Sequence, residues 1–272
     1  MISQDTYAPQ PAELVEIIDE TPTIKTLVIA PSSPMVFKAG QFVQLTLPGV
    51  GEAPFTPSSS PLEPERIAIT ILRTGAVTDG LHECSVGQTL GLRGPFGKGY
   101  PLDKTDGKEI LVVGGGVGLA PLRALILALL AEPRGFKRLS IKYGARNTEE
   151  LLYRDQHDSW ALDGKTDFVC TIDKPQAGWS GRTGVVTTLL KNVDVDKSNT
   201  LAFVCGPSVM LRFVTFALMD EGFQDEQIYL SMNRRMSCGM GLCGRCNIGP
   251  HYLCKDGPDM KYSLIKDYQN VF

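Results

Sequence analysis

The sequence predicts an antiparallel β-barrel domain, then a doubly wound parallel α/β domain, then a small cysteine-rich lobe. Three observations carry this. Between residues 12 and 98, short β-rich runs are separated by Pro and Gly, the punctuation of an antiparallel barrel or sandwich. From residue 109 onward, apolar runs of strand length alternate with stretches of helical length, as in a parallel sheet covered by helices. Residues 236–258, MSCGMGLCGRCNIGPHYLCKDGP, then hold four of the chain's seven cysteines.

In the first region the runs are AELVEIIDE, TIKTLVIA, QFVQLTL, RIAITILR and QTLGLRG, with KAGQ and HECSVGQ as connections. The pattern changes after GPFGKGYPL. EILVV at 109–113 is the unbroken apolar run expected of a strand buried on both faces. GGGVG follows, then an apolar stretch of helical length at 119–131. RLSIKYGAR, TDFVCTID, TGVVTTLLKN, TLAFVCGP, SVMLRFVTFALMDEGF and QIYLSM continue the alternation. The domain division implied is 1–103, 104–230 and 231–272. The last segment is too short for a core of its own, so a metal centre would be its natural staple.

At 272 residues and 43% hydrophobic, the chain is long enough for two ordinary cores. A net charge of -3 offers no positive field to draw in nucleic acid or an anionic membrane. ALILALLA is the strongest apolar run and falls short of a membrane span. The start, MISQDTYAPQPAELVEI, lacks the basic-then-apolar order of a secretory leader. The expectation is a cytoplasmic protein without direct membrane insertion, in which clustered cysteines mean metal more often than disulfides.

Cys238, Cys243, Cys246 and Cys254 are spaced C-x4-C-x2-C-x7-C, with Gly239, Gly241, Gly244 and Gly249 interleaved. Glycine lets a loop wrap a cluster and turn several amide N–H groups toward the sulfurs. The opening C-x4-C-x2-C is the plant-type [2Fe–2S] spacing. Structural zinc is the alternative, although zinc sites usually pair two C-x2-C knuckles and only one is present. Cys84, Cys170 and Cys205 are scattered.

In LVVGGGVGLAPLRALI a strand runs into Gly114, Gly115, Gly116 and Gly118 and then a helix with Pro121 near its start. A pyrophosphate could sit there against free amides. A G-x-G-x-x-G reading from Gly114 would need glycine where Leu119 stands, so a plain strand-to-helix turn is the other reading. GEAPFTPSSSP at 51–61 sets hydroxyls beside Phe55 between two strands and, by itself, reads as a loop. His82, His157 and His251 form no spacing that suggests a metal or nucleophile site.

Together GGGVGLAPLR, YGAR, VCGPSVM and RRMSCGMGLCGRC with the later CKDGP resemble the ferredoxin-NADP reductase superfamily of flavin-dependent reductases. Within it, the whole chain is similar to iron–sulfur flavoprotein subunits: the gamma subunit of hydrogenase/sulfhydrogenase, the corresponding subunit of anaerobic sulfite reductase and the electron-transfer subunit of dihydroorotate dehydrogenase. The resemblance implies an FAD-binding barrel, an NAD(P)-binding domain and a lobe holding a [2Fe–2S] cluster on Cys238, Cys243, Cys246 and Cys254. The family's flavin motif, Arg-x-Tyr-Ser, falls on Ala53, Pro54, Phe55 and Thr56. The ring of Phe55 would pack on the isoalloxazine and the Thr56 hydroxyl approach its N5, with Ser58 and Ser59 close by, while the motif arginine is replaced by Ala53. Its donors must then come from the second flavin segment, ILRTGAVT, where Arg73, Gly75, Val77 and Thr78 stand. On the nicotinamide side, Gly114, Gly115, Gly116, Gly118 and Pro121 match the glycine loop. Cys205, Gly206 and Pro207 match the segment beside the nicotinamide, and Arg146 could meet the adenosine ribose or a 2′-phosphate.

The function implied is electron transfer between NAD(P)H, FAD and a [2Fe–2S] cluster, to or from a catalytic or ferredoxin-like partner subunit in a hetero-oligomer, with Thr56 and Cys205 beside the hydride path. Arg234, Arg235 and Arg245 could dock an acidic or polar partner surface. The short C-x7-C interval and CKDGP favour a hydrogenase or sulfite/sulfur reductase partner over dihydroorotate dehydrogenase. Two further readings are a stand-alone ferredoxin reductase and a zinc-stapled nucleotide-binding regulatory module without turnover.

Overall fold

The computed structural model describes residues 7–131, 135–161 and 164–272. Residues 1–6, part of the stretch tested for a leader, lie outside the described residues. The described chain divides into two compact units. One comprises the residues up to Tyr100 with Arg123–Ala128 and Met232–Asp259; the other comprises Pro101–Leu122, Leu129–Ser231 and Met260–Phe272.

In the first unit, β1 (Gln10–Thr21), β2 (Ile24–Pro31), β3 (Phe42–Leu47), β4 (Gly51–Phe55), β5 (Ile67–Leu72) and β6 (Thr89–Phe96) form one antiparallel sheet. Its order is β4-β3-β6-β1-β2-β5. Leu14, Leu27, Ile29, Val43, Leu45, Ile69, Ile71 and Leu92 are fully buried in a single core cluster. Burial of such a side chain stabilises by about 1.5–3 kcal/mol. Strands from both ends of the order feed that one cluster, so the sheet curls round it as the barrel expectation requires. GEAPF, read from sequence as part of a connection, is strand β4. It contains Gly51 and Pro54 because it lies at the sheet edge, where proline's missing N–H leaves no ladder bond unmade. A short helix, α1 (Ala76–His82), follows β5, and His82 at its end is buried with Nε2 2.9 Å from the Ile71 carbonyl oxygen.

In the second unit, β7 (Glu109–Gly115), α2 (Leu119–Ala131), β8 (Arg138–Ala145), β9 (Thr166–Ile172), β10 (Arg182–Thr183), β11 (Thr200–Cys205), α3 (Ser208–Asp220) and β12 (Ile228–Ser231) appear in chain order. The middle residues of α2 are grouped with the first unit. A hairpin of β13 (Asn247–Ile248) and β14 (His251–Tyr252) lies within the cysteine segment, and β15 (Asp259–Lys261) closes the larger sheet, ordered β10-β9-β8-β7-β11-β12-β15. Strands β7 to β12 pair in parallel. Ile110, Leu111, Val112 and Val113 are wholly buried, which is why EILVV reads as unbroken rather than alternating.

The cysteine segment does not stand as a separate body. Residues 232–259 group with the barrel and 260–272 with the parallel sheet. A stretch too small to make a core borrows one from its neighbours.

Candidate functional site

The cysteine loop takes its shape from glycine. Gly239, Gly241 and Gly244 have φ of +80°, +74° and +73°, the left-handed region that side chains disfavour. These turns aim backbone N–H groups at sulfur. Met240, Leu242 and Cys243 point theirs at Cys238 Sγ from 3.4, 3.4 and 3.5 Å, and Gly241 points its own at Cys254 Sγ from 3.0 Å. Burial opposes ionisation of Cys238, but the N–H groups of Cys243, Met240 and Leu242 outweigh it and bring the thiol down to about 6. Burial, with the Cys246 thiol against it, pushes Cys254 up to about 12.

The four thiols meet as two pairs. Cys238 is hydrogen-bonded to Cys243, and Cys246 Sγ lies 3.3 Å from Cys254 Sγ. Among the described residues, no three His, Cys, Asp or Glu side chains converge on one ion-sized point. Two pairs suit a binuclear [2Fe–2S] centre, with two sulfurs for each iron, better than the single four-thiol point of structural zinc. Cys243 is exposed and Cys238 half-buried, whereas Cys246 and Cys254 are buried.

The outer face of the barrel holds this loop. Strand alternation turns Val43, Leu45 and Leu92 to the core. Gln44 and Arg93, paired across β3 and β6, therefore face the other way. The Gln44 amide donates to the Met236 carbonyl. Arg93 donates to the carbonyls of Ser237 at 2.9 Å and Cys238 at 2.8 Å, and its Nε meets Glu52 at 2.8 Å. The Phe96 ring lies against Gly239, where any Cβ would strike it. None of Gln44, Glu52 or Arg93 was singled out from sequence. An arginine inside the alternating pattern of a barrel strand is the one signal that could have found it.

On the same barrel, β4 places the flavin-motif residues. Phe55 pairs with Val43 and packs half-buried against the core cluster, Pro54 pairs with Gln44, and Thr56 follows half-buried. Ser58 and Ser59 are buried, and their hydroxyls serve the barrel itself. Ser58 Oγ bonds the Ala68 carbonyl and Thr70, and Ser59 Oγ accepts from the Ala68 N–H. Arg73 is ion-paired with Asp79 at 3.2 Å and Glu83 at 2.9 Å. Thr78 Oγ1 accepts from the Thr74 and Gly75 N–H groups, capping α1, and Val77 packs on the core.

In the parallel sheet the chain builds β7 to β10 outward on one side, then crosses to lay β11 on the other side of β7. The carboxyl ends of β7 and β11 thus flank the point where strand order reverses, the usual ligand crevice of a doubly wound sheet. Gly114 is paired with Cys205 there, which brings two sequence-predicted segments together. Gly118 passes so close to β11 that a Cβ would collide with the Cys205 carbonyl, whereas Gly116, at φ +54°, has open space before it. Pro121 is in the first turn of α2, Cys205 is buried, and Gly206 and Pro207 lead into α3. The Met210 side chain covers Gly115 and Gly206. Arg146 is exposed just beyond β8. Tyr143 is a member that sequence reading missed beyond its place in YGAR. Its hydroxyl lies 3.3 Å from the Gly116 and Glu150 carbonyls and accepts from the Leu152 N–H, and burial pushes its phenol well above the usual range, keeping the proton it donates.

Residues 112–215 match the family model described as an oxidoreductase NAD-binding domain, and residues 233–266 that of the iron–sulfur cluster binding domain of dihydroorotate dehydrogenase B. The sulfhydrogenase 2 gamma subunit of Pyrococcus furiosus is 34% identical over 245 residues, 83% of each chain. The probable dihydroorotate dehydrogenase B (NAD(+)) electron transfer subunit of Methanocaldococcus jannaschii is 35% identical, over 89% of this chain and 86% of its own. The solved structure of the NADH-dependent reduced ferredoxin-NADP oxidoreductase shares the fold at a TM-score of 0.78 and 24% identity, over 98% of this chain and 93% of that one. Among the described residues, no helix is long and apolar enough to cross a membrane.

Proposed function

Because the chain belongs to the family of the sulfhydrogenase gamma and dihydroorotate dehydrogenase B electron-transfer subunits, within the ferredoxin-NADP reductase superfamily, we propose that it carries electrons between NAD(P)H and a catalytic partner subunit through FAD and one [2Fe–2S] cluster. The observation that carries this reading is the loop of two thiol pairs, backed by aimed backbone N–H groups and seated on the barrel.

Roles follow the chain: residues 1–103 bind FAD, 104–230 bind the nicotinamide nucleotide and 231–272 supply the cluster ligands. The cofactors supply hydride and single-electron chemistry when bound, and the protein holds and tunes them. Gly114, Gly115, Gly116 and Gly118 with the start of α2 receive the pyrophosphate, and the buried Tyr143 phenol braces that turn from behind. Cys205, Gly206 and Pro207 border the nicotinamide, and Arg146 stands exposed for the ribose end. Phe55 and Thr56 flank the isoalloxazine, and the start of α1, with Gly75, Val77 and Thr78, lies on the FAD phosphate side. Ala53 offers no guanidinium, and Arg73 is engaged by Asp79 and Glu83, so backbone donors carry more of that contact than in the family motif. Cys238, Cys243, Cys246 and Cys254 hold the cluster. Exposed Cys243 and Leu242 mark the edge from which electrons leave.

The partner fits a hydrogenase or a sulfur- or sulfite-reducing subunit, on the short C-x7-C interval. The match of residues 233–266 to the dihydroorotate dehydrogenase B cluster domain favours a second reading, in which the partner is that dehydrogenase. Purified protein is expected to show both flavin and [2Fe–2S] absorbance, with an axial or rhombic electron paramagnetic resonance signal on reduction. A colourless, zinc-loaded protein overturns the proposal. Co-purification from native lysate decides between the partners.

A further inference from the structure

The geometry around Arg93 points to a role that none of the cluster ligands has. We infer that Arg93, with Glu52 as its counter-charge, positions the backbone of the first cysteine ligand and sets the reduction potential of the iron–sulfur centre. The inference rests on the reading of Cys238, Cys243, Cys246 and Cys254 as cluster ligands.

Arg93 is 7% exposed, yet it lies on the face of β6 turned away from the apolar core. A buried guanidinium needs its donors satisfied and its charge matched. Both requirements are met in a way that involves the cysteine loop. Two nitrogens engage the Glu52 carboxylate, which Thr46 also bonds at 3.0 Å. Nη2, one of those two, and Nη1 donate to consecutive carbonyls, those of Ser237 and of Cys238 itself. Gln44, the cross-strand partner of Arg93, takes the carbonyl before them, that of Met236. Three successive carbonyls, two before the first ligand residue and its own, are thus fixed from β3 and β6. A rigid planar fork does this, and lysine, with a single mobile nitrogen, cannot.

Charge adds to position. The guanidinium grips the carbonyl of the ligand residue at 2.8 Å, which places a buried positive charge beside the residue that carries the first sulfur, with little water to screen it. One-electron reduction of the centre adds one negative charge, so Arg93 favours the reduced state and Glu52 opposes it. Removing either charge leaves the other uncompensated. The two single variants are therefore expected to shift the potential in opposite directions.

The test is a potentiometric titration of the full-length, iron-loaded protein followed by electron paramagnetic resonance, with iron content measured in parallel. Arg93→Gln is expected to move the midpoint to more negative values and to speed iron loss to a chelator. Glu52→Gln, which keeps the shape of the carboxylate, is expected to move it to more positive values. Arg93→Lys keeps the charge and gives up the fork, so it holds the potential nearer the parent while losing iron faster. Midpoints that do not move, or that move the same way in iron-loaded Arg93→Gln and Glu52→Gln, overturn the inference. If Arg93→Gln fails to load iron, Glu52→Gln decides alone, and an unchanged midpoint counts against. A parent protein without an iron–sulfur signal is a different failure, because it overturns the cluster assignment itself and this inference with it.

Discussion

Gly116 and Gly118 stand two residues apart after β7, and they exclude side chains for different reasons. At Gly118 a Cβ would collide with backbone of β11, while at Gly116 the space is open and only the φ of +54° resists substitution. Gly118→Ala is expected to lose about 1–3 kcal/mol through forced backbone shifts. Gly116→Ala should lose about 1–2 kcal/mol through left-handed strain, yet weaken NADH binding more if the glycine loop receives the pyrophosphate as proposed, because its Cβ would enter the open space before the loop. Thermal unfolding and calorimetric NADH titration separate the two, and a folded Gly116→Ala that binds like the parent would remove the glycine loop from the site. At the flavin-motif residues, Phe55 packs on the core, so Phe55→Ala should lower stability as well as flavin retention. Thr56→Val keeps shape and deletes the hydroxyl. It should slow flavin reduction by NADH and by NADPH in stopped flow with the melting temperature unchanged.

At the scale of elements, the segment after β8 shows how an unassigned histidine becomes structural. His157 stacks on Phe168 of β9 at 4.2 Å between ring centroids, with Trp160 and Tyr143 around it, and bonds the Leu152 carbonyl at 2.8 Å. Burial lowers its pKa below the ordinary imidazole value, and Arg154 adds to this against Asp158 and Asp155. The unfolded chain therefore takes up the proton first as pH falls below about 6.5. Its stabilising contribution is complete above that value and is lost on acidification. The melting temperature of the parent is expected to drop between pH 7.5 and 5.5 more steeply than that of His157→Gln, and parallel curves would exclude His157 as the cause. Strand β4 makes the complementary point. Its glycine, glutamate and proline carry no strand signal, and only the ladder to β3 creates it.

For the whole molecule, the barrel core contains none of the four clustered thiols. Serine at Cys238, Cys243, Cys246 or Cys254 is therefore expected to abolish iron while flavin and its reduction by NAD(P)H persist, and electron delivery to the partner stops. Iron and flavin assays on each variant, with stopped-flow reduction, check this. Loss of flavin together with iron would contradict separate seats. Much of this organisation was legible in local pattern. Short β-rich runs punctuated by Pro and Gly announced the barrel, EILVV and the helical stretches announced the parallel sheet, and C-x4-C-x2-C with its glycines announced a cluster loop, because composition, run length and ligand spacing are properties of neighbours in the chain. What local pattern could not hold was anything made by residues far apart. The grouping of residues 232–259 with the barrel and the seat formed by Gln44, Glu52 and Arg93 depend on partners some 150 to 190 positions away, and the pairing of the thiols on how the loop folds back. A side chain that faces away from its own core has no preferred partner until the fold brings one, and only the tertiary structure decided that Arg93 would hold the first cysteine.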